Sequence, residues 1–290
     1  MTTTTNVRPL ITLRTRRRRR LPPVLIVAVM LILAAVLIAA VLPGPFSPFS
    51  ANTQDMLAVA QTPSKAHIFG TDELGRDVFS RVLFGARSAV IGPLIIASSG
   101  LVVSAAVGIL AGYVGGVTDS IIMRTVDFIF SLPGLLLTIV IVAVSGGGYW
   151  MAIVVLSVLN VQGDIRIVRG VALEQRSLPY IEAARTVGVP TWRIMYRHIF
   201  PNIAPVMVAD FAVDFAGALV ALSGLAFLGL GSQPGTAEWG RMLTDGQALL
   251  FDNPMAAVAP GLAIVLLAVS VNLIGDWLYE RYSTRDSRAS

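Results

Sequence analysis

Six long apolar stretches constrain this chain more than any other feature of its sequence. A helix of about 20 apolar residues crosses the hydrocarbon core of a bilayer and satisfies its own backbone hydrogen bonds there. Only 13% of the 290 residues are charged and 55% are hydrophobic, which is too apolar for a soluble domain. The sequence therefore predicts an all-α membrane protein with six transmembrane helices, at Val24–Leu42, 88–113, 121–144, 149–161, 205–229 and 255–278.

The distribution of arginine predicts the orientation of these spans. Five consecutive arginines, residues 16–20, directly precede the first span, and six more lie between Arg166 and Arg197. With both termini in the cytoplasm, 17 of the 22 Lys and Arg residues face inward and five face outward, as the positive-inside rule requires. The first span resembles the start of a signal peptide, but we expect it to be retained because no convincing cleavage site follows it.

Several kinds of chemistry are absent from the sequence. It has no cysteine and only two histidines, His67 and His198, so thiol nucleophiles and a histidine metal cluster are excluded. Its single lysine, Lys65, lacks the glycine-rich lead of a phosphate-binding loop. We expect a non-catalytic chain without cofactor or metal. The arginine run abuts a span, which favours contact with membrane lipids over nucleic acid.

The stretch 180–202, between the fourth and fifth spans, is typical of a docking segment, since it places three arginines and two short helices outside the membrane. Ser177 is predicted to cap a helix that begins near Pro179, carries Glu182 in its first turn, and stops at Gly188. A second helix then runs from Thr191 to His198, with its apolar side at Trp192, Ile194, Met195 and Ile199, before Pro201-Asn202 turns the chain into the next span.

This stretch carries a recognisable motif. Glu182-Ala183-Ala184, then Gly188, then Ile199-Phe200-Pro201 resembles the EAA loop of ATP-binding-cassette (ABC) importer permeases. The resemblance implies that the loop is the coupling helix that fits a groove of an ATPase subunit. The coupling residues would then be Glu182, Ala183, Ala184, Arg185, Gly188, Ile199 and Pro201.

Three further segments resemble one subfamily, that of dipeptide, oligopeptide and nickel importers. They are 67–81, before the second span, 112–139, and 226–243, after the fifth. From the residues alone, Thr71 or Asp72 could cap an interfacial helix in the first segment, with Arg76 and Arg81 on its polar face. Leu222 stands where many relatives carry a glutamate, so no acidic role is transferred to that position.

The resemblance implies a type I importer permease with partners, in a bacterial plasma membrane. These would be a second homologous permease, two ATPase subunits that bind ATP and Mg²⁺, and an extracytoplasmic solute-binding protein. Short peptides are the expected substrate, with nickel chelates, glutathione or other small solutes as alternatives. The expected regions are a disordered basic tail (1–21), the first span with an external segment (22–87), a core permease domain (88–280) whose cytoplasmic coupling loop is 164–201, and a cytoplasmic tail (281–290).

Two carboxylates in the fifth span, Asp210 and Asp214, are four residues apart and therefore share a helix face. A carboxylate near the bilayer centre costs at least about 2.5 kcal/mol on insertion scales, so neither should face lipid. They could pair with an arginine of this chain or its partner, or line the translocation path. A stand-alone secondary transporter that binds ions at Asp210 and Asp214 is the competing hypothesis.

Overall fold

The computed structural model describes residues 22–286, and this part of the chain is all-helical. The tail predicted for 1–21 and residues 287–290 lie outside the described residues. A π-helical turn, Met195–Ile199, joins the seventh helix to the eighth without a break. The described helices are α1 (Pro23–Val41), α2 (Val78–Val114), α3 (Gly116–Phe130), α4 (Gly134–Val144), α5 (Tyr149–Arg176), α6 (Pro179–Thr186), α7 (Thr191–Ile194), α8 (Phe200–Phe227), α9 (Trp239–Gln247) and α10 (Met255–Asp286).

Five helical segments in the described residues are long and apolar enough to cross a membrane, and a bent pair supplies a sixth candidate. The five are α1, α2, α5, the continuous run 191–227, and α10. The pair is α3 and α4, which meet at an angle of 74°. The sequence predicted a single span at 121–144 here. The helix breaks instead, because Pro133 has no amide hydrogen to continue the ladder, and α4 begins anew behind it.

The centre of the bundle is the packing of α2 against α5, and small residues make it close. A side chain at Gly108 would place its Cβ 2.8 Å from Cβ of Val168, and one at Gly112 would lie 2.7 Å from the carbonyl oxygen of Arg169. Neither position therefore has room for a side chain, and this is the close helix approach that a span rich in Gly, Ala and Ser permits. Around this pair, α8 and α10 complete the core.

The start of α2 differs from the sequence prediction. Asp77, not Thr71 or Asp72, is the N-cap, and its Oδ2 accepts a hydrogen bond of 2.7 Å from the Ser80 amide. Asp72 instead stabilises the turn before the helix, where its Oδ1 accepts hydrogen bonds from the backbone amides of Leu74 and Arg76. Asp side chains stabilise such turns as readily as helix starts, so local sequence did not separate the two.

The arginines predicted on a solvated face of this helix are buried. Arg76 lies 2.6 Å from Asp72, and Arg81, only 1% exposed, lies 3.4 Å from the same carboxylate. Arg81 also donates to the carbonyl oxygens of Ala51, Gly235 and Thr236. The interfacial-helix prediction is therefore wrong, because buried arginines need partners and this network supplies them. It ties the segment after α1 to the segment after α8.

Candidate functional site

The junction between α5 and α6 is tighter than predicted. Ser177 does not cap α6. It ends α5, where its Oγ donates to the Glu174 carbonyl at 2.8 Å. The predicted capping role is wrong because Leu178 takes the N-cap position without a side-chain bond, and Pro179 then opens α6. A proline in the first turn needs no amide partner, so this start requires no capping side chain.

Gly188 ends α6, as the sequence predicted, and its backbone is in the left-handed conformation. Its φ is +79°. The Gly188 amide donates to the Arg185 carbonyl at 2.9 Å, and the Val189 amide donates to the Ala184 carbonyl at 3.0 Å. These two bonds form a Schellman motif, which closes a helix end and reverses the chain. The predicted order of short helix, glycine hinge and second helix is confirmed.

The second helix does not turn at Pro201-Asn202, contrary to the prediction. It passes through the π-helical turn into α8 as one run. Pro201 has no amide hydrogen to give to the turn before it, and the wider π geometry accommodates that loss. Asn202 Nδ2 donates to the His198 carbonyl at 2.7 Å and to the Tyr180 hydroxyl at 3.0 Å. The fifth span is thereby continuous with the loop.

Isoleucines anchor this unit to the bundle. Ile181 of α6, Ile194 of α7 and Ile199 of the π-helical turn are each at most 1% exposed. They pack in one cluster with α2 and α5, where the partners include Ile109 and Val168. Close-packed interiors transmit displacement rather than absorb it. A push on α6 would therefore move the ends of α2, α5 and α8 together.

The opposite side of α6 faces outward and is called the α6 face here. Glu182, Ala183, Thr186 and Val187 are exposed, and Val187 is exposed by 83%. The spacing of these residues puts them on one side of the helix. Ala184 is half-buried beneath them. The α6 face therefore combines a free carboxylate with a small apolar surface.

The remaining residues of the predicted coupling set have different surroundings. Arg185 holds α6 to α2, since its Nε donates to the Tyr113 hydroxyl at 3.1 Å and its guanidinium lies 4.8 Å from the ring centre. Ile199 is a core residue, and Pro201 is exposed at the start of α8. Only Glu182 and Ala183 of the motif itself are fully available on the α6 face.

Two ion pairs brace α3 against α5 close to the same loop. Arg169 binds Asp119 through two hydrogen bonds of 2.5 and 2.6 Å, and Arg166 lies 2.6 Å from Asp127. A bidentate arginine–carboxylate pair fixes orientation as well as distance. Local sequence spacing does not reveal these partners, because they are 39 and 50 residues apart.

The structure adds a third carboxylate to Asp210 and Asp214. Asp164 of α5 is 5% exposed, and one carboxylate oxygen from each of the three residues lies within 4.8 Å of the others. Gly100 of α2 makes room for them, since a Cβ there would lie 2.6 Å from Asp164 Oδ2. None of the three forms an ion pair with an arginine or lysine whose side chain the structure describes, which means those up to residue 281. Pairing with an arginine of this chain is therefore not found in the described residues.

Asp164 was missed because it stands at the end of the fourth apolar run, where we expected the cytoplasmic loop to begin. The helix continues for 12 residues beyond it, to Arg176. Nothing in the sequence indicated that Gly100 of α2 and the two aspartates of α8 would lie beside Asp164 of α5. Carboxylate oxygens at this spacing are also ligands that hard cations accept. The expectation that the chain binds no metal stays a prediction.

Comparison with known proteins identifies the class. Residues 104–285 match the family described as "Binding-protein-dependent transport system inner membrane component". The glutathione transport system permease protein GsiD of Pectobacterium atrosepticum is 38% identical over 232 residues, which cover 80% of this chain and 77% of that protein. The probable D,D-dipeptide transport system permease protein DdpC of Escherichia coli K12 is 37% identical over 235 residues, covering 80% and 79%.

The fold agrees with this class. An inward-facing structure of the MetNI methionine ABC transporter superposes with a TM-score of 0.58, covering 70% of this chain and 96% of that chain at 18% sequence identity. The protein is a helical, multi-span inner-membrane permease. It belongs to the family of inner-membrane components of binding-protein-dependent transport systems, and it is a permease subunit of an ABC importer.

Proposed function

We propose that this subunit imports short peptides or peptide-like solutes by alternating access, driven by partner ATPases that dock on the α6 face. The observation that carries the proposal is the α6 unit itself. It has buried isoleucines on one side, a Schellman motif at its end, and an exposed face that contains Glu182 and Ala183. A rigid element with one unpartnered face can pass the motion of a docked protein to the spans.

The proposed partners would complete the transporter. Five or six spans would form half of a pathway, and a second permease subunit would form the other half. Two ATPase subunits would supply ATP and Mg²⁺ binding, because the sequence contains no phosphate-binding loop. An extracytoplasmic solute-binding protein would deliver the substrate to the side formed by 43–77 and 231–254.

The orientation follows from charge. Six arginines lie between Arg166 and Arg197, at the end of the bundle that carries α6. We place this end, with residues 1–21, 164–201 and 281–290, in the cytoplasm of a bacterial cell. ATPase subunits are cytoplasmic, so the α6 face is then on the side where they can reach it.

The substrate class rests on the relatives. GsiD is named for glutathione and DdpC for a D,D-dipeptide, and both ligands are small, peptide-like and carry a free amino group. Asp164, Asp210 and Asp214 would provide a negative region along the path that favours such a group. Nickel chelates remain an alternative that no observation favours. The stand-alone transporter hypothesis is disfavoured, since family membership implies ATPase partners.

Reconstitution tests the proposal. The complex of both permeases and ATPases, in proteoliposomes with the binding protein, should accumulate a radiolabelled dipeptide or glutathione only when ATP is present. Uptake by this chain alone, driven by an ion gradient, would support the competing hypothesis instead.

The carboxylates are tested in the same assay. Asp214→Asn should reduce uptake of substrates with a free amino terminus more than uptake of N-acetylated ones, at unchanged assembly. Asp252→Asn, an exposed position between α9 and α10, is the matched control. Equal loss for both substrates would assign the three carboxylates a structural role.

A further inference from the structure

An apolar cavity of about 380 Å³ lies beside the coupling loop and is not used by the proposed transport cycle. One wall is α2, through Leu101, Ala105 and Ile109, and the other is the helix after Gly188, through Trp192 and Tyr196. All its lining side chains within the described residues are uncharged. The cavity is within the range of about 300 to 1,000 Å³ that is usual for small-molecule sites.

The cavity has the depth of one membrane leaflet. Leu101 and Ile109 are eight residues apart on α2, and Ile109 is five residues before the helix ends at Val114. At about 1.5 Å per residue, the cavity extends from roughly 8 to 20 Å from that end. Val102, which also lines it, is 64% exposed, so the cavity opens sideways. Its mouth therefore lies on the exposed side of α2, at a depth where acyl chains would lie in a bilayer.

The rim has the chemistry of a headgroup site. Trp192 and Tyr196 are 61% and 73% exposed, and such aromatic side chains favour the membrane–water interface. Arg193 lies with its guanidinium 5.2 Å from the centre of the Trp192 ring. Arg197 is one helical turn further on, and both arginines are exposed. Two exposed cations, each next in sequence to an aromatic residue that lines the cavity, complement the anionic phosphate of a lipid whose acyl chain occupies the cavity.

We propose that this cavity binds an anionic phospholipid, with one acyl chain between α2 and the 191–200 helix and the phosphate on Arg193 and Arg197. A transmembrane helix fits less well. A helix is about 10 Å across, and a cavity about 12 Å long would hold only some two turns of it. Assigning this lipid to the cytoplasmic leaflet depends on the orientation proposed above, whereas the lipid site itself does not. A lipid here would contact the element that joins the α6 unit to α8.

Photolabelling tests the proposal on the purified complex in nanodiscs, without ATP or substrate. The probes are phosphatidylglycerol and phosphatidylcholine, each with a diazirine in the acyl tail. Phosphatidylglycerol should label peptides containing 101–109 and 192–200 more strongly than phosphatidylcholine does. A basic residue near the surface contributes about a fivefold preference for anionic lipid, so R193Q should lower that preference about fivefold, and R193Q/R197Q further.

A cavity-filling variant separates specific binding from general lipid contact. Ala106→Phe, at an exposed lining position, should remove most of the labelling, whereas Val103→Phe, exposed on α2 outside the cavity lining, should not. Equal labelling by both lipids, or equal effects of both variants, would overturn the proposal. So would crosslinking of a photoreactive residue at position 106 to another subunit. Labelling is measured without transport. Absence of the expected labelling would therefore overturn the lipid site and leave the proposed coupling to ATPases intact.

Discussion

Replacing Gly188 by valine should uncouple transport from ATP hydrolysis by distorting the chain reversal after α6. The space around Gly188 is open, since a Cβ there would meet no heavy atom within 4 Å. The cost is therefore conformational. A non-glycine residue held at a φ of +79° carries strain on the order of 1 to 3 kcal/mol, and a β-branched side chain lies at the upper end.

That strain acts on the Schellman motif. Relief of the strain requires loss of the bonds from the Gly188 and Val189 amides to the carbonyls of Arg185 and Ala184. A difference of 1 to 3 kcal/mol lowers the population of the docked geometry about 5- to 150-fold. Asparagine adopts the left-handed conformation more readily than other side chains, so we expect Gly188→Asn to retain most activity and Gly188→Ala to be intermediate.

The assay is ATP-dependent uptake and binding-protein-stimulated ATP hydrolysis by the reconstituted complex. Subunit content is checked by size-exclusion chromatography. Gly170→Val is the matched control, because Gly170 is also surrounded by open space but has an ordinary helical backbone within α5. Wild-type uptake by Gly188→Val would refute the reasoning. Equal losses for Gly188→Asn and Gly188→Val would show that backbone strain is not the cause.

Three further predictions address docking, topology and pH. Glu182→Lys should reverse the charge of the α6 face and reduce ATPase co-purification, whereas Glu174→Lys, also exposed but in α5, should not; equal retention by both would exclude this face as the docking site. Single cysteines at Ser64 and Ser177 should react with an impermeant maleimide from opposite sides of the membrane, and labelling of both from outside would invalidate the topology. Burial raises the pKa of the Glu238 carboxyl above its ordinary value of 4.5. The stability that the protonated carboxyl contributes is therefore present below pH 4.5 and is lost as the pH rises through the raised pKa. Glu238→Gln should therefore raise the melting temperature at pH 8 relative to wild type but not at pH 4, and an equal shift at both would exclude this titration.

Much of the structure between Pro179 and Ile199 followed from its sequence because its determinants are local. Gly188 needs only its own backbone conformation and the bonds of the adjacent turn. Helix starts were less predictable. Thr71, Asp72 and Ser177 all have side chains that cap helices or stabilise turns equally well, and the choice depended on neighbouring backbone that local sequence does not specify.

The sequence by itself determined the membrane class, the run of apolar spans and the chain reversal at Gly188, because hydrophobicity and glycine conformation act within a few residues. Only the tertiary structure decided which charged groups meet. Asp164 joins Asp210 and Asp214 through the packing of α5 on α8, and Arg81 is buried against backbone more than 150 residues away. In a low-dielectric interior a buried charge such as that of Arg81 is stable only with the partners that packing brings to it. Those partners are set by how the helices pack.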